Sequence, residues 1–364
     1  MLQGKRFLDS ARFNRIIATL ASKLDLMRPL RFLNRTPLVP AYDDELIGYF
    51  TGQVFAADVI ADDQEAVTYE SGKVEVVATA IPNLKLGSHI PQSQINRMAS
   101  MEARGSTVQE EDAQKMFENR RAENLIVGVR QRMNAMICAM WLDDMQYDRL
   151  GIKIVGSFGQ PSDLKVTLQT PLTGTSAVLT SAILGLNTSA GNTYGQTYNR
   201  VTMSLQAFQY WVATTEFKQL VAALYPTAIA TTSVNVGNLP VMQKFASQLL
   251  NMEIELEDAT YNERETNGTI RRKRVMPANK IILSNSDADN DPNVMDFGNG
   301  IPTETQVAAL IGNAPEGLGG EVFGPIGYYT GRPDLNPPDL TAWAVARGFP
   351  RKHIREATAV ITAW

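Results

Sequence analysis

The sequence predicts an α+β protein, and three observations support this prediction. Residues 106 to about 148 predict one long helix, in which apolar side chains recur at three- and four-residue intervals from Leu125 to Trp141. Residues 47–80 and 151–170 alternate in hydrophobicity as β-strands do. Asn267-Gly268 favours the tight turn of a β-hairpin, and the following residues return as a strand.

Composition narrows the class of protein. The chain has 364 residues, of which 44% are hydrophobic, enough for one large domain or two ordinary ones. No apolar run approaches the roughly 20 residues that a bilayer requires, and the first 20 residues lack the apolar centre of a signal peptide. The single cysteine, Cys138, excludes an internal disulfide framework and suits a reducing cytoplasm. A net charge of −4 is not that of a protein that coats nucleic acid.

The first 40 residues predict a helical start followed by an extended arm. Apolar residues recur at helical spacing between residues 13 and 20. Pro29, Pro37 and Pro40 then favour extended backbone. An arm of this kind has little to bury against itself, so we expect it to lie along another surface.

Residues 47–80 predict a two-stranded excursion with an acidic tip. Residues 61–64 and Ser71-Gly72 are typical of turns between the apolar runs. Two strands alone are not stable in water, so this excursion needs a partner surface. The need for a partner is a first indication of assembly.

Charge is segregated between these two adjacent segments. Residues 1–40 carry eight basic and two acidic residues, a net charge of +6, whereas residues 43–80 carry one basic and nine acidic residues, a net charge of −8. The segments could pair within the chain or between copies, or they could be two solvated surfaces. The hypothesis of pairing between copies sets the loop-tip acids against the arm arginines. The candidate interface residues are Arg28, Arg31, Arg35, Asp62, Asp63 and Glu65.

The long helix has a clear start. Thr107 and Glu110 have the spacing of a capping box, and Gly128 costs roughly 1 kcal/mol relative to alanine inside the helix. Further helices are expected at about residues 177–184, 204–224 and 241–250. Strands are expected at residues 270–275, 280–283, 342–346 and 357–364.

The residues do not form a recognisable catalytic, cofactor or metal site. His89, His353 and Cys138 are too few for a His/Cys metal cluster from this chain alone. No phosphate-binding loop, dinucleotide fingerprint or nucleophile elbow is present. Residues 287–291 open like a calcium loop, but Pro292 stands where the turn glycine should be, so we expect a solvated turn. We therefore expect no enzymatic activity.

The basic run Arg271-Arg272-Lys273-Arg274 lies on the predicted return strand of the hairpin. It could face nucleic acid or phosphate. On a strand, however, alternate residues point to opposite faces, which splits the four into two pairs. An exposed or inter-subunit hairpin is the favoured interpretation.

Three stretches resemble the lambda-type family of tailed-phage major capsid proteins, whose fold is named after phage Hong Kong 97. Residues 43–88 look like that family's extended loop and its return to the body, and residues 106–147 lie where the family has its spine helix. The most specific stretch comprises residues 201–217, 257–261, 267–268 and 275–280, since a turn-bearing hairpin followed by a proline and a buried strand recurs there in the family. The resemblance spans nearly the whole chain.

This resemblance implies five regions and a shell-building function. The regions are an N-terminal arm (1–42), an extended loop (43–88), a peripheral domain with the spine helix (89–175), an axial α/β domain (176–335) and C-terminal strands returning to the body (336–364). Copies would assemble in the host cytoplasm into hexamers and pentamers of an icosahedral virion head. The implied partners are other copies, a scaffolding protein, a portal, a decoration protein and packaged double-stranded DNA contacted non-specifically, with no membrane and no cofactor. An encapsulin-type compartment shell that holds cargo protein is the alternative.

Overall fold

The computed structural model describes residues 10–23, 30–41, 46–51, 73–78, 83–149, 152–224, 239–264, 269–300, 326–332 and 339–364. The α-helices in these ranges are α1 Ser10–Lys23, α2 Arg31–Arg35, α3 Gln92–Arg104, α4 Val108–Trp141, α5 Leu179–Tyr194, α6 Leu205–Ala213, α7 Thr215–Leu224 and α8 Leu239–Leu250. Helices and strands are both present in quantity, so the predicted α+β class is confirmed.

The strands form two larger sheets and three pairs. The strands are β1 Leu38–Ala41, β2 Leu46–Thr51, β3 Lys73–Ala78, β4 Asn83–His89, β5 Met145–Arg149, β6 Ile152–Gly156, β7 Lys165–Thr167, β8 Arg200–Met203, β9 Glu253–Leu256, β10 Thr260–Arg264, β11 Ile270–Arg274, β12 Lys280–Ser284, β13 Met295–Gly300, β14 Ile326–Arg332, β15 Asp339–Lys352 and β16 Thr358–Thr362. The first sheet has the order β1-β13-β15-β14, with β4 also paired to β15, and the second has the order β7-β16-β12-β8-β9. The pairs are β2-β3, β5-β6 and β10-β11.

The long helix α4 begins where its sequence predicts. The Glu110 backbone N–H donates to Thr107 Oγ1 (3.4 Å), and the Thr107 N–H donates to Glu110 Oε2 (3.2 Å), which completes the capping box. With 34 residues, the helix is about 51 Å long. It ends earlier than predicted because Asp143 adopts the left-handed conformation (φ 52°). There its carboxylate accepts hydrogen bonds from the Phe158 N–H and from Ser157 Oγ (2.7 Å).

The first hydrophobic core lies between the first sheet and helices α1 to α4. Its largest buried side chains include Phe32, Trp141 and Phe297. Gly128 of α4 faces Leu86 of β4, and a Cβ at Gly128 would clash with the leucine side chain. The glycine that weakens the isolated helix therefore allows the helix to approach the sheet closely.

The second core lies between the second sheet and helices α5 to α8. Strand alternation in β12 places Ile281 and Leu283 in this core and Ile282 in the first core. The second sheet is therefore buried on both faces at its centre. The helix predicted over residues 204–224 is two helices, because Thr214 adopts an extended conformation and its Oγ1 caps the Phe217 N–H (3.2 Å).

The other predicted elements are largely present. Residues 46–51 and 73–78 pair antiparallel as the two expected strands, while the tip between them lies outside the described residues. Strands β10 and β11 form the expected hairpin, although its turn at residues 265–268 also lies outside them. Helix α5 is longer than expected, and helix α3 was not predicted.

Candidate functional site

The first arm helix, α1, is seated on the body of its own chain. Phe13 and Ile17 are buried, and a Cβ at Gly327 of β14 would lie 2.5 Å from Ile17 and 2.9 Å from Phe13. Arg12 Nη2 lies 3.1 Å from Glu118 Oε2 of α4. Burial raises the pKa of Glu118, and Arg12 opposes this change. The surface that the arm was expected to need is therefore supplied in part by its own chain.

The second arm helix, α2, packs across the C-terminal half of α4. Phe32 is fully buried and meets the Trp141 ring edge-on, with ring centroids 5.2 Å apart. The Leu33 backbone N–H donates to Asn134 Oδ1 (2.9 Å), a buried hydrogen bond between elements 101 residues apart. Apolar packing and this hydrogen bond together fix where the charged residues of α2 lie.

Two of the predicted interface arginines project from α2 onto carboxylates of their own chain. Arg31 Nη1 lies 3.7 Å from Glu255 Oε2, and Arg31 Nε lies 3.3 Å from Glu257 Oε2. Arg35 forms an ion pair with Glu255. Burial raises the pKa of Glu257. The arm is thus tied to strand β9 and to the residue that follows it.

This ion cluster continues into the body beyond β9. Arg200 Nε lies 2.8 Å from Glu253 Oε2, and Arg200 Nη1 lies 2.5 Å from Asp289 Oδ2. Burial raises the pKa of Asp289 to about 6 although Arg200 and Arg35 act to lower it, and burial together with Arg200 lowers the pKa of Arg35 to about 10. The expectation of a solvated turn at residues 287–291 is wrong for Asp289, whose carboxylate is buried against Arg200.

The remaining candidate interface residues, Arg28, Asp62, Asp63 and Glu65, lie outside the described residues. Their pairing with a neighbouring copy stays a prediction. For Arg31 and Arg35, such pairing has to compete with Glu255 and Glu257 of the same chain. These partners could not be predicted from the sequence because they lie more than 200 residues away along the chain.

The β10–β11 hairpin presents the basic run identified in the sequence. Lys273 pairs with Glu263, and Arg132 Nη2 of α4 donates to Glu263 Oε1 (2.6 Å) while its guanidinium lies 5.2 Å from the centre of the Tyr261 ring. Burial raises the pKa of Glu263, but the hydrogen bonds from Lys273 and Arg132 outweigh it and lower the pKa to about 2. One face of the hairpin is thereby fastened to α4.

A buried lysine lies where the two sheets meet. Lys352, at the end of β15, has no exposed surface, and its Nζ donates to Thr358 Oγ1 of β16 (2.7 Å). Thr358 Oγ1 in turn donates to the Trp141 carbonyl oxygen at the end of α4 (2.9 Å). Burial lowers the pKa of Lys352 to about 7, and Asp143 opposes this change.

The structure places Cys138 and His353, two of the side chains that the sequence singles out for chemistry. Cys138 is buried as predicted, and burial raises the pKa of its thiol, which disfavours the reactive thiolate. His353 Nε2 lies 3.1 Å from Asp296 Oδ2, and Arg351 also binds Asp296. Among the described residues, no group of three His, Cys, Asp or Glu side chains could hold a metal ion. No helix in the described ranges is long and apolar enough to cross a membrane.

Two solved structures resemble this architecture along nearly their whole length. A proposed capsid protein of an Escherichia coli prophage has a TM-score of 0.57 at 12% identity, covering 98% of this chain and 99% of that chain. A phage-related protein from Bordetella bronchiseptica has a TM-score of 0.53 at 12% identity, covering 95% of this chain and 96% of that chain. No family model and no curated protein matches the sequence. The structural likeness establishes the fold: this chain has the Hong Kong 97 phage-type capsid fold.

Proposed function

We propose that this protein is the major capsid protein of a tailed bacteriophage and has a structural rather than an enzymatic role. Copies assemble into hexamers and pentamers and form an icosahedral head around double-stranded DNA. The observation that carries this proposal is the capsid-type fold along nearly the whole chain, on which the arm, the two-stranded excursion and the spine helix follow one another in order.

The local structure supports a function in self-association. The β2–β3 pair is a two-stranded sheet, and such a sheet depends on a partner surface for stability. Closed symmetric assemblies use one surface many times, so modest contacts suffice when each subunit has several neighbours. A scaffolding protein, a portal and a decoration protein are further partners in this proposal, which places the protein in the virion after assembly in the host cytoplasm.

This function is tested by expressing the protein with and without a scaffolding protein and purifying the product for electron microscopy. We expect closed shells, or rings of five and six subunits, in negative-stain micrographs. A matched control is Ile282→Asp, which puts an unpaired carboxylate at a position with no exposed surface and prevents folding. A strictly monomeric wild-type protein at high concentration in both preparations would refute the proposal. Particles that enclose cargo protein and no nucleic acid would favour the encapsulin-type alternative.

A further inference from the structure

The outer face of the β10–β11 hairpin is basic and exposed. Tyr261 and Glu263 lie on the inner face, which contacts α4 through Arg132. Strand alternation and the register with β10 place Ile270, Arg272 and Arg274 on the opposite face. All five residues of β11 are exposed, and Ile270 is 70% exposed.

Arg272 and Arg274, the arginines of the outer face, make contacts within their own chain but remain exposed. Arg272 Nε donates to Thr260 Oγ1 (2.8 Å), and Arg274 Nη1 lies 2.5 Å from Asp258 Oδ1, with both side chains of that pair about 40% exposed. An exposed pair of this kind contributes little to stability. Arginine is enriched at protein interfaces relative to the rest of the protein surface.

A segment of matching charge exists in the same chain. Residues 52–72, which connect β2 to β3, contain five acidic residues and no lysine or arginine. These 21 residues connect the strands of the β2–β3 pair, and a two-stranded sheet needs a surface to pack on. The arm arginines Arg31 and Arg35 are already paired with Glu255 and Glu257 of their own chain.

We propose that the outer face of the hairpin, formed by Ile270, Arg272 and Arg274, binds the acidic segment 52–72 of a neighbouring copy. This inference rests on the proposed shell-forming function and names one of its contact surfaces. The opposite charges orient the two copies, and repetition around a ring makes individually weak pairs effective.

Two variants with opposite charge changes test the contact. The hairpin variant carries Arg272→Glu and Arg274→Glu, and the tip variant carries Asp62→Lys and Asp63→Lys. Each variant alone brings like charges together, so the assembled fraction measured by sedimentation should fall about tenfold below that of the wild type. Circular dichroism and melting should show folded subunits, because the altered hairpin side chains are exposed.

Mixing the two variants separates contact between copies from contact within one chain. A lysine tip can meet a glutamate hairpin only on a copy of the other variant, so the equimolar mixture should recover most of the wild-type assembly. If the acidic segment bound the hairpin of its own chain, the mixture would assemble no better than either variant. That second result would overturn the proposal.

Arg97→Glu with Arg120→Glu is the matched control, since it changes the same charge at two exposed arginines on α3 and α4. We expect it to assemble as the wild type does, and equal loss in this control would contradict a specific contact. A hairpin variant that assembles normally but binds a short DNA duplex more weakly, measured by fluorescence anisotropy, would instead identify a nucleic-acid surface and refute the inference. Failure of the wild type to assemble would refute the proposed function itself, which keeps the two failures distinguishable.

Discussion

The buried amine of Lys352 makes the free energy of unfolding depend on pH. The pKa of Lys352 is lowered by burial from 10.5 to about 7 in the folded protein. Between these two values the unfolded chain binds a proton that the folded chain does not, so the free energy of unfolding rises with pH. Over pH 7 to pH 8.5 the gain from this residue is on the order of 2 kcal/mol.

Urea denaturation of dissociated subunits at these two pH values measures the effect. The variant Lys352→Met removes the titrating group, so its stability should lack this rise. Burial raises the pKa of the Cys138 thiol, so the titration of this thiol lowers the stability as the pH rises. This contribution is the same in wild type and variant, so it cancels when the two stabilities are subtracted. Lys280→Met is the matched control, because Lys280 Nζ also donates to a threonine, Thr362 Oγ1 (2.8 Å), but lies at a partly exposed position. A difference between wild type and Lys352→Met that stays constant from pH 7 to pH 8.5 would refute the reasoning.

Two further predictions concern the seat of the arm. Phe32→Ala removes a fully buried ring from its contact with Trp141. Urea denaturation should show a free energy of unfolding lower by about 3–5 kcal/mol. A loss near zero would show that α2 does not pack on α4 at this position. Gly327→Ala pushes a methyl group against Phe13 and Ile17, so hydrogen exchange should speed up in α1 while β14 stays protected. Unchanged exchange in α1 would contradict that packing.

The spine helix could be predicted from the sequence, but its end could not. The capping box at Thr107 and the apolar periodicity are local signals, and both were read correctly. The end depends on Asp143, whose left-handed backbone is held by groups at residues 157 and 158. Helix α3 did carry a local signal, since Ile95, Met98 and Met101 recur at three-residue intervals and all are buried.

The candidate site was only partly accessible to sequence reasoning. Charge segregation identified the arm arginines and the acidic segment as unusual, because clusters of like charge are visible in composition. The partners of Arg31 and Arg35 were missed, since Glu255 and Glu257 lie more than 200 residues away along the chain and meet α2 only in the folded protein. The two faces of the basic strand β11 could be predicted because alternate residues of any strand point to opposite faces. The register of the strand could not, since Arg264 pairs with Ile270, one residue away from the register that a two-residue turn at Asn267-Gly268 would give.

Strands β15 and β16 have a consequence for the timing of folding. β15 pairs with β4, β13 and β14, and β16 lies between β7 and β12, so both larger sheets are completed by residues 339–362. During synthesis on the ribosome neither sheet can close until these residues emerge, and contacts so distant in sequence form slowly. A nascent chain therefore lacks its finished packing surfaces until nearly all of this sequence has been made. The surface that this chain presents when folded therefore forms late, after that last stretch has joined both sheets.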